Sequence, residues 1–227
     1  MNSTLFSQFE NIIVLDTETT GISHKTDEII ELAALRAVPC NQSLQTADEM
    51  DLLIQLSPGR TLPPVIENLT GISEAMLQQK GVSKQEACLR FTAMLNHPNT
   101  LLVAYNAQFD LCFLYYFLAR FGQAAALKGV KMLDALTIYK DRRDYPHKLA
   151  NAIEAYHLTG ENTHRAIDDA KATLELLEAM AVEEDDLASY INLFGYNPKY
   201  GVSGPRISSI TYRPQSYHRS AKLYTVL

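Results

Sequence analysis

Cysteine is scarce and poorly placed for cross-linking: Cys40, Cys88 and Cys112 are the whole complement, odd in number and widely separated. No two of them stand at metal-knuckle spacing, so reduced thiols in the core are expected at all three. Long apolar runs are missing too, with nothing near the ~20 residues that cross a bilayer. The first ten residues lack a basic region followed by an apolar core, so no secretory leader is read. A cytoplasmic setting without membrane contact is the expectation. No internal repeat is found. Acid is absent from one end of the chain: between Leu187 and Leu227 there is no Asp or Glu.

What is present is enough for a sizeable core: 227 residues, 47% of them hydrophobic. The net charge of −6 argues at first against a nucleic-acid partner, but it is unevenly spread. The tail carries Lys199, Arg206, Arg213, Arg219 and Lys222, which leaves −11 on the residues before it. It also holds Tyr190, Tyr196, Tyr200, Tyr212, Tyr217 and Tyr224, six of the twelve tyrosines. Cations meet phosphates and rings stack on bases, so this mixture suits a strand of nucleic acid. Packing of the tail onto its own acidic body suits it equally. The chain therefore divides into residues 1–184 and a basic, tyrosine-rich extension, 185–227.

Asn11 to Gly21 (NIIVLDTETTG) is the stretch around which the chain is organised. The β-branched run Ile12 to Leu15 reads as a buried strand too short for a helix. Asp16 and Glu18, two residues apart, leave one face of a strand that continues through them. Like charges so placed repel unless a divalent cation sits between them. A solvated acidic turn is the plain alternative.

Glu28 to Val38 reads as a second strand closed by Pro39 and the polar residues to Asp48, and Met50 to Leu56 as a third. Leu62 to Gln79, with Pro63, Pro64 and Gly71, favours short helices. Ser83 and Glu86 open a capped helix. A strand over 100–104 leads to an apolar helix ending near Phe121, and a fifth strand is placed over 130–136. Helices are expected over 148–156 and 165–180, the latter amphipathic, then one more helical piece from Asp186 to about Phe194 before an irregular tail. Three antiparallel strands followed by two more among helices give an α/β domain with a mixed five-stranded sheet.

Two further acidic motifs follow. Asp110 falls just inside a helix N-terminus, which favours negative charge, with Asn106 and Phe109 beside it. In the stretch His164 to Ala170 the histidine is the one group whose ordinary pKa lies near neutrality. If His164 is helical, Asp168 is its neighbour; if it lies in the preceding loop, Asp169 can face the same site.

In order and context, Asp16-Thr17-Glu18-Thr19-Thr20-Gly21, Leu69-Thr70-Gly71-Ile72, Asn106-Ala107-Gln108-Phe109-Asp110 and His164-x-Ala166-x-x-Asp169-Ala170 resemble the DnaQ-like (DEDDh) 3′-5′ exonucleases of the ribonuclease H-like fold. The resemblance covers residues 11–180. It implies two divalent cations, Mg2+ or Mn2+, on Asp16, Glu18, Asp110 and Asp169, with His164 as general base. It selects Asp169 over Asp168. The implied activity is release of nucleoside monophosphates from the 3′ end of a single strand, DNA favoured over RNA. Thr19, Ile22, Ile72, Asn106 and Phe109 are candidates to grip the terminal nucleotide, although Ile22 and Ile72 suit core packing equally. Tyr105 departs from the family, many members of which have a histidine there. Competing readings are a proofreading or accessory component that acts through a partner polymerase or nuclease, docked by residues 187–227, and an exoribonuclease.

Overall fold

Ile12 to Leu15 form the centre of the sheet. The structure, a computed structural model, describes residues 3–40, 43–217 and 221–225. Strand β1 (Asn11–Thr19) pairs antiparallel with β2 (Ile29–Cys40), which pairs antiparallel with β3 (Ser43–Leu53). On its other side β1 runs parallel to β4 (Thr100–Ala104), and β4 to β5 (Lys131–Asp134), giving the order β3-β2-β1-β4-β5. The mixed five-stranded sheet expected from the sequence is therefore present, flanked by helices on both faces.

Alternation along β1 sorts its side chains between two cores. Ile12 and Val14 join Leu35, Val103 and Leu133 beneath α1 (Thr4–Gln8), α6 (Ala135–Arg142), α7 (Leu149–Tyr156) and α8 (Ala166–Glu183). Ile13 and Leu15 join Ala34, Leu102 and Met132 beneath α4 (Lys84–Leu95) and α5 (Ala107–Arg120). A third, small cluster of Ile30, Leu62, Ile72 and Leu77 sits by α2 (Pro64–Thr70) and α3 (Glu74–Lys80). Ser83 caps α4 through its hydroxyl, 3.1 Å from the Glu86 N–H, while the Glu86 carboxylate turns to Arg90 instead of completing the box. No described helix is long and apolar enough to cross a membrane.

Several expectations need correction. β3 begins at Ser43, not Met50, and β2 runs through Pro39 to Cys40. Pairing of β1 with β2 stops at Ala37, so Pro39 has a neighbour on one side only, where a missing N–H is tolerated. The segment after Asp186 is a single 3-10 turn (Leu187–Tyr190) followed by strand β6 (Leu193–Tyr196), which pairs in parallel with β7 (Thr211–Pro214). Apart from this short pair and a 3-10 turn (Leu223–Thr225), the described part of the tail beyond Phe194 is irregular, as expected. Leu187, Tyr190, Leu193 and Leu223 join the α8-side core, and Phe194 and Ile210 the α5-side core. Cys88 and Cys112 are buried free thiols, but Cys40 is only half-buried. Arg219 lies outside the described residues.

Candidate active site

The carboxyl ends of β1 and β4 and the start of α8 meet at one end of the sheet. β1 stays extended through Asp16 and Glu18, so both side chains leave its α8-side face, while the intervening Thr17 points the other way. Directly after Glu18 the β1–β2 register shifts: Glu18 faces Glu31 but Thr19 faces Ile29. Such a bulge bends a strand and re-aims the side chains beside it. The extra residue, Ile30, turns into the cluster with Ile72.

Asp110 arrives from the first turn of α5. Asn106 precedes that helix in the left-handed region (φ 65°), a conformation that asparagine tolerates better than most residues. It turns the chain sharply from β4 so that Asp110 is only 2% exposed. The Thr17 hydroxyl donates to Asp110 Oδ1 at 2.7 Å and locks it.

Asp169 comes from the first turn of α8, and here the structure settles what spacing left open. His164 lies before the helix with φ 58°, exposed to solvent. Asp169 is buried, whereas Asp168 is occupied by the Thr163 hydroxyl at 2.6 Å. Asn162 donates to Asp169 Oδ2 at 2.6 Å. Asp169 Oδ1 is buried with no hydrogen-bond partner. Candidate ligand atoms of Glu18, His164 and Asp169 all lie within 4.8 Å of one another.

The electrostatics record this crowding. Asp16 is pushed well above the usual carboxylate range by burial first, then by Asp110, Asp169, Glu18 and Glu31. Burial, Asp169, Glu31 and Asp110 lift Glu18 to about 8. Burial lifts Asp110 to about 7 despite the hydrogen bond from Thr17. Asp169 is raised by burial, with Asn162 pulling the other way. A set of oxygen donors that repel one another, one of them buried without a partner, fits a hard divalent cation.

The substrate candidates divide. Ile22 is 88% exposed on the loop after β1, and Asn106 is exposed beside Asp110. Phe109 is half-buried and packs on Phe113 at 4.9 Å. Thr19 is buried, and its hydroxyl donates to the Gly21 carbonyl at 2.6 Å, bracing the loop that carries Ile22. Ile72 is fully buried and offers no surface to a ligand; its motif forms the end of α2, where Gly71 adopts φ 69°. Tyr105 donates to the His147 carbonyl at 2.9 Å, which turns its ring into the α6–α7 side of the core.

Sequence reasoning missed Glu31. It is wholly buried on β2, paired in register with Glu18, and accepts from Arg165 Nε at 2.9 Å and from the Ala166 N–H at 2.8 Å. It thus ties the start of α8, and with it the His164 loop, to the strand beside the site. A lone acid inside the apolar run from Ile29 to Leu35 was the available signal, since an unpaired charge is not buried there. Thr17 and Asn162 were missed for lack of any comparable mark.

Similarity to known proteins agrees with this geometry. The exonuclease family RNase_T matches residues 13–177. Over 179 residues the chain is 34% identical to the PolC-type DNA polymerase III of Thermotoga petrophila, covering 75% of this chain and 12% of the polymerase. Over 166 residues it is 32% identical to the 3′-5′ exonuclease DinG of Staphylococcus aureus, covering 72% of this chain and 17% of DinG. The chain thus spans less than a fifth of either relative. In fold it resembles Escherichia coli exonuclease I, solved with single-stranded DNA and zinc, with a TM-score of 0.71 at 20% identity over 81% of this chain and 43% of that one. The chain belongs to the RNase_T exonuclease family, the DnaQ-like exonucleases of the ribonuclease H-like fold.

Proposed function

We propose that this chain removes nucleoside monophosphates one at a time from the 3′ end of single-stranded DNA. The observation that carries the reading is the convergence of Asp16, Glu18, Asp110 and Asp169 beside His164, with Asp169 Oδ1 buried and unpartnered. The four carboxylates would hold two Mg2+ or Mn2+ ions. When bound, these ions neutralise the acids and stabilise the charge that builds on the reacting phosphate.

His164 accepts a proton from the attacking water, a role open to an imidazole in an exposed loop at the edge of the acids. Oxygen of that water bonds to phosphorus as the bond to the 3′ oxygen of the preceding nucleotide breaks, and that oxygen takes up a proton. The released nucleotide keeps the phosphate at its 5′ position. Thr17 and Asn162 keep Asp110 and Asp169 aimed without leaving the protein. Exposed Ile22 and Asn106 face the strand end, and a chain that must present a free terminus explains exo- over endonucleolytic cutting. DNA is favoured because the relatives are a DNA polymerase and DinG, and because exonuclease I of the same fold was solved on single-stranded DNA. The same relatives support a cytoplasmic setting.

A second reading, proofreading alongside a polymerase, is favoured by the match to a small part of PolC-type polymerases. One time course tests both. A 5′-labelled 20-mer is expected to shorten stepwise with Mg2+ and stay intact with EDTA or when circular, and Asp169→Asn is expected to abolish shortening. His164→Ala is expected to lower kcat by roughly 10²–10⁴-fold, the range of general-base catalysis. Full activity of Asp169→Asn would discard the site, and activity only upon addition of a polymerase would favour the second reading.

A further inference from the structure

The basic tail does not hang free of the site. Sheet order β1-β4-β5 lays out, along the carboxyl ends of the strands, first Asp16 and Glu18, then Asn106, then Asp134 and the start of α6. Two strand spacings, about 10 Å, separate the first from the last. Residues of the tail close over this last position. Gln108, two residues from Asp110, donates through Nε2 to the carbonyls of Ser203 (2.8 Å) and Pro205 (2.9 Å) and accepts from the Tyr212 hydroxyl at 2.6 Å. The Gly195 N–H donates to the Thr137 hydroxyl at 2.9 Å, and Gln215 Nε2 to the Thr137 carbonyl at 2.9 Å, fixing the small β6–β7 sheet on α6.

Between tail and body runs a cleft of about 130 Å³ whose lining includes Asn106, Lys140, Tyr196, Asn197 and Tyr212. Asp134 is the one carboxylate in the lining, and it is spoken for: it accepts from the Ala107 N–H at 3.1 Å, the Leu136 N–H at 3.2 Å and the Thr137 hydroxyl at 2.6 Å. Exposed Arg206 lies over the rings of Tyr196 (5.8 Å) and Tyr212 (5.2 Å), and Lys199 over Tyr200 (5.2 Å). Neither cation has a carboxylate partner among the described residues, although most of the molecule is acidic. Tyr200 is 69% exposed.

We propose that the segment from Leu193 to Tyr212, together with the start of α5, forms a track that holds the single strand on the 5′ side of the phosphate being cut. Phosphates would lie along Lys140, Lys199 and Arg206, and a base on Tyr200. The proposal rests on the exonuclease reading for the identity of the strand. Nucleic acid is favoured over a protein partner because Tyr196 and Tyr212, the two rings beneath Arg206, line the same cleft as Asn106, which lies next to the carboxylates in the sheet order. A guanidinium held over two rings is set for phosphate and for a neighbouring base.

The test is binding without cutting. Fluorescence anisotropy of a 5′-labelled 12-mer in EDTA, titrated at several salt concentrations, reads the track independently of hydrolysis. Replacing Lys199 and Arg206 by Gln together is expected to weaken binding roughly ten-fold. It should also lower the salt slope by about 1.4, the value for two phosphate contacts to a single strand. Arg206→Lys keeps the charge but not the planar stack and should recover part of the loss. Arg90→Gln, at an exposed position of α4, is the control for bulk charge and should bind as wild type. Wild-type affinity and slope in the double variant would overturn the proposal and point to a protein-docking arm; so would an equal loss in Arg90→Gln. Should the wild type bind the oligomer yet never shorten it with Mg2+, the exonuclease reading would fall while the track stood.

Discussion

At the scale of single residues, the acids of the site are held in place against their own repulsion. Burial and neighbours raise Glu18 to about 8 and Asp110 to about 7, and push Asp16 and Asp169 upward as well. A carboxyl whose folded pKa exceeds its unfolded value binds extra protons when folded, so between about pH 4 and 8 stability falls as pH rises. Metal-free protein is therefore expected to melt at a lower temperature at pH 8 than at pH 5.5, and Mg2+ or Mn2+ to raise the melting temperature more at pH 8. By the same logic Asp16→Asn, though inactive, should raise the metal-free melting temperature at pH 8 by about 2–4 °C, the shift that ~1 kcal/mol gives in a chain of this size. Differential scanning calorimetry with EDTA would check both, and a melting temperature that rises with pH would contradict them. The Asp16/Glu18 pair was legible because strand period puts both on one face. Thr17 and Asn162 were not, because a hydroxyl or an amide beside an acid is recognised only by the partner it meets in space.

At the scale of elements, the register of β1 against β2 and the start of α8 decide whether the acids meet. The β1–β2 bulge follows Glu18 directly, and Glu31, opposite Glu18, receives Arg165 and the first helical N–H of α8. That bond sets where Asp169 enters and where the His164 loop begins. Glu31→Ala leaves the Ala166 N–H unsatisfied and is expected to cost about 1–3 kcal/mol of stability. It should also reduce kcat by about 10²-fold through misplacement of groups it never touches. Glu31→Gln, which keeps an acceptor, should retain more of both. Unchanged kcat in Glu31→Ala with a lowered melting temperature would assign the residue to stability alone. Element type was largely readable from apolar runs, caps and prolines. Element ends were less so: β3 starts seven residues before Met50, in a polar stretch that is a strand only because β2 lies beside it to pair with.

For the whole molecule, the acidic body and the basic tail are joined by buried polar contacts as well as by shared core. Arg142, at the end of α6, is 5% exposed and reaches the Glu184 carbonyl at 3.1 Å, the Met180 carbonyl and the Asp186 carboxylate. Lys222 Nζ meets the other oxygen of Asp186 at 2.9 Å, so α6, α8 and the tail share one charge cluster. Removing one member strands its buried partners, and Arg142→Ala should cost about 3–5 kcal/mol in urea unfolding with little change in m. A loss under about 1 kcal/mol would mean that solvent replaces the guanidinium freely. The tyrosines of the tail serve two ends. Tyr190 is buried in the core, whereas Tyr200 stays exposed; both are tyrosines of one basic stretch, and only the fold tells them apart.

By itself the sequence determined the family, through motifs contiguous in the chain, and the succession of the five strands of the main sheet, through short-range periodicity; the same motifs make Asp16, Glu18, Asp110, Asp169 and His164 the candidates for the site. The tertiary structure alone decided that Ile72 is core, that Glu31 carries the start of α8, and that the tail closes over Gln108. Each of those depends on which groups remain without water or a partner once distant segments have packed, and no local pattern records that.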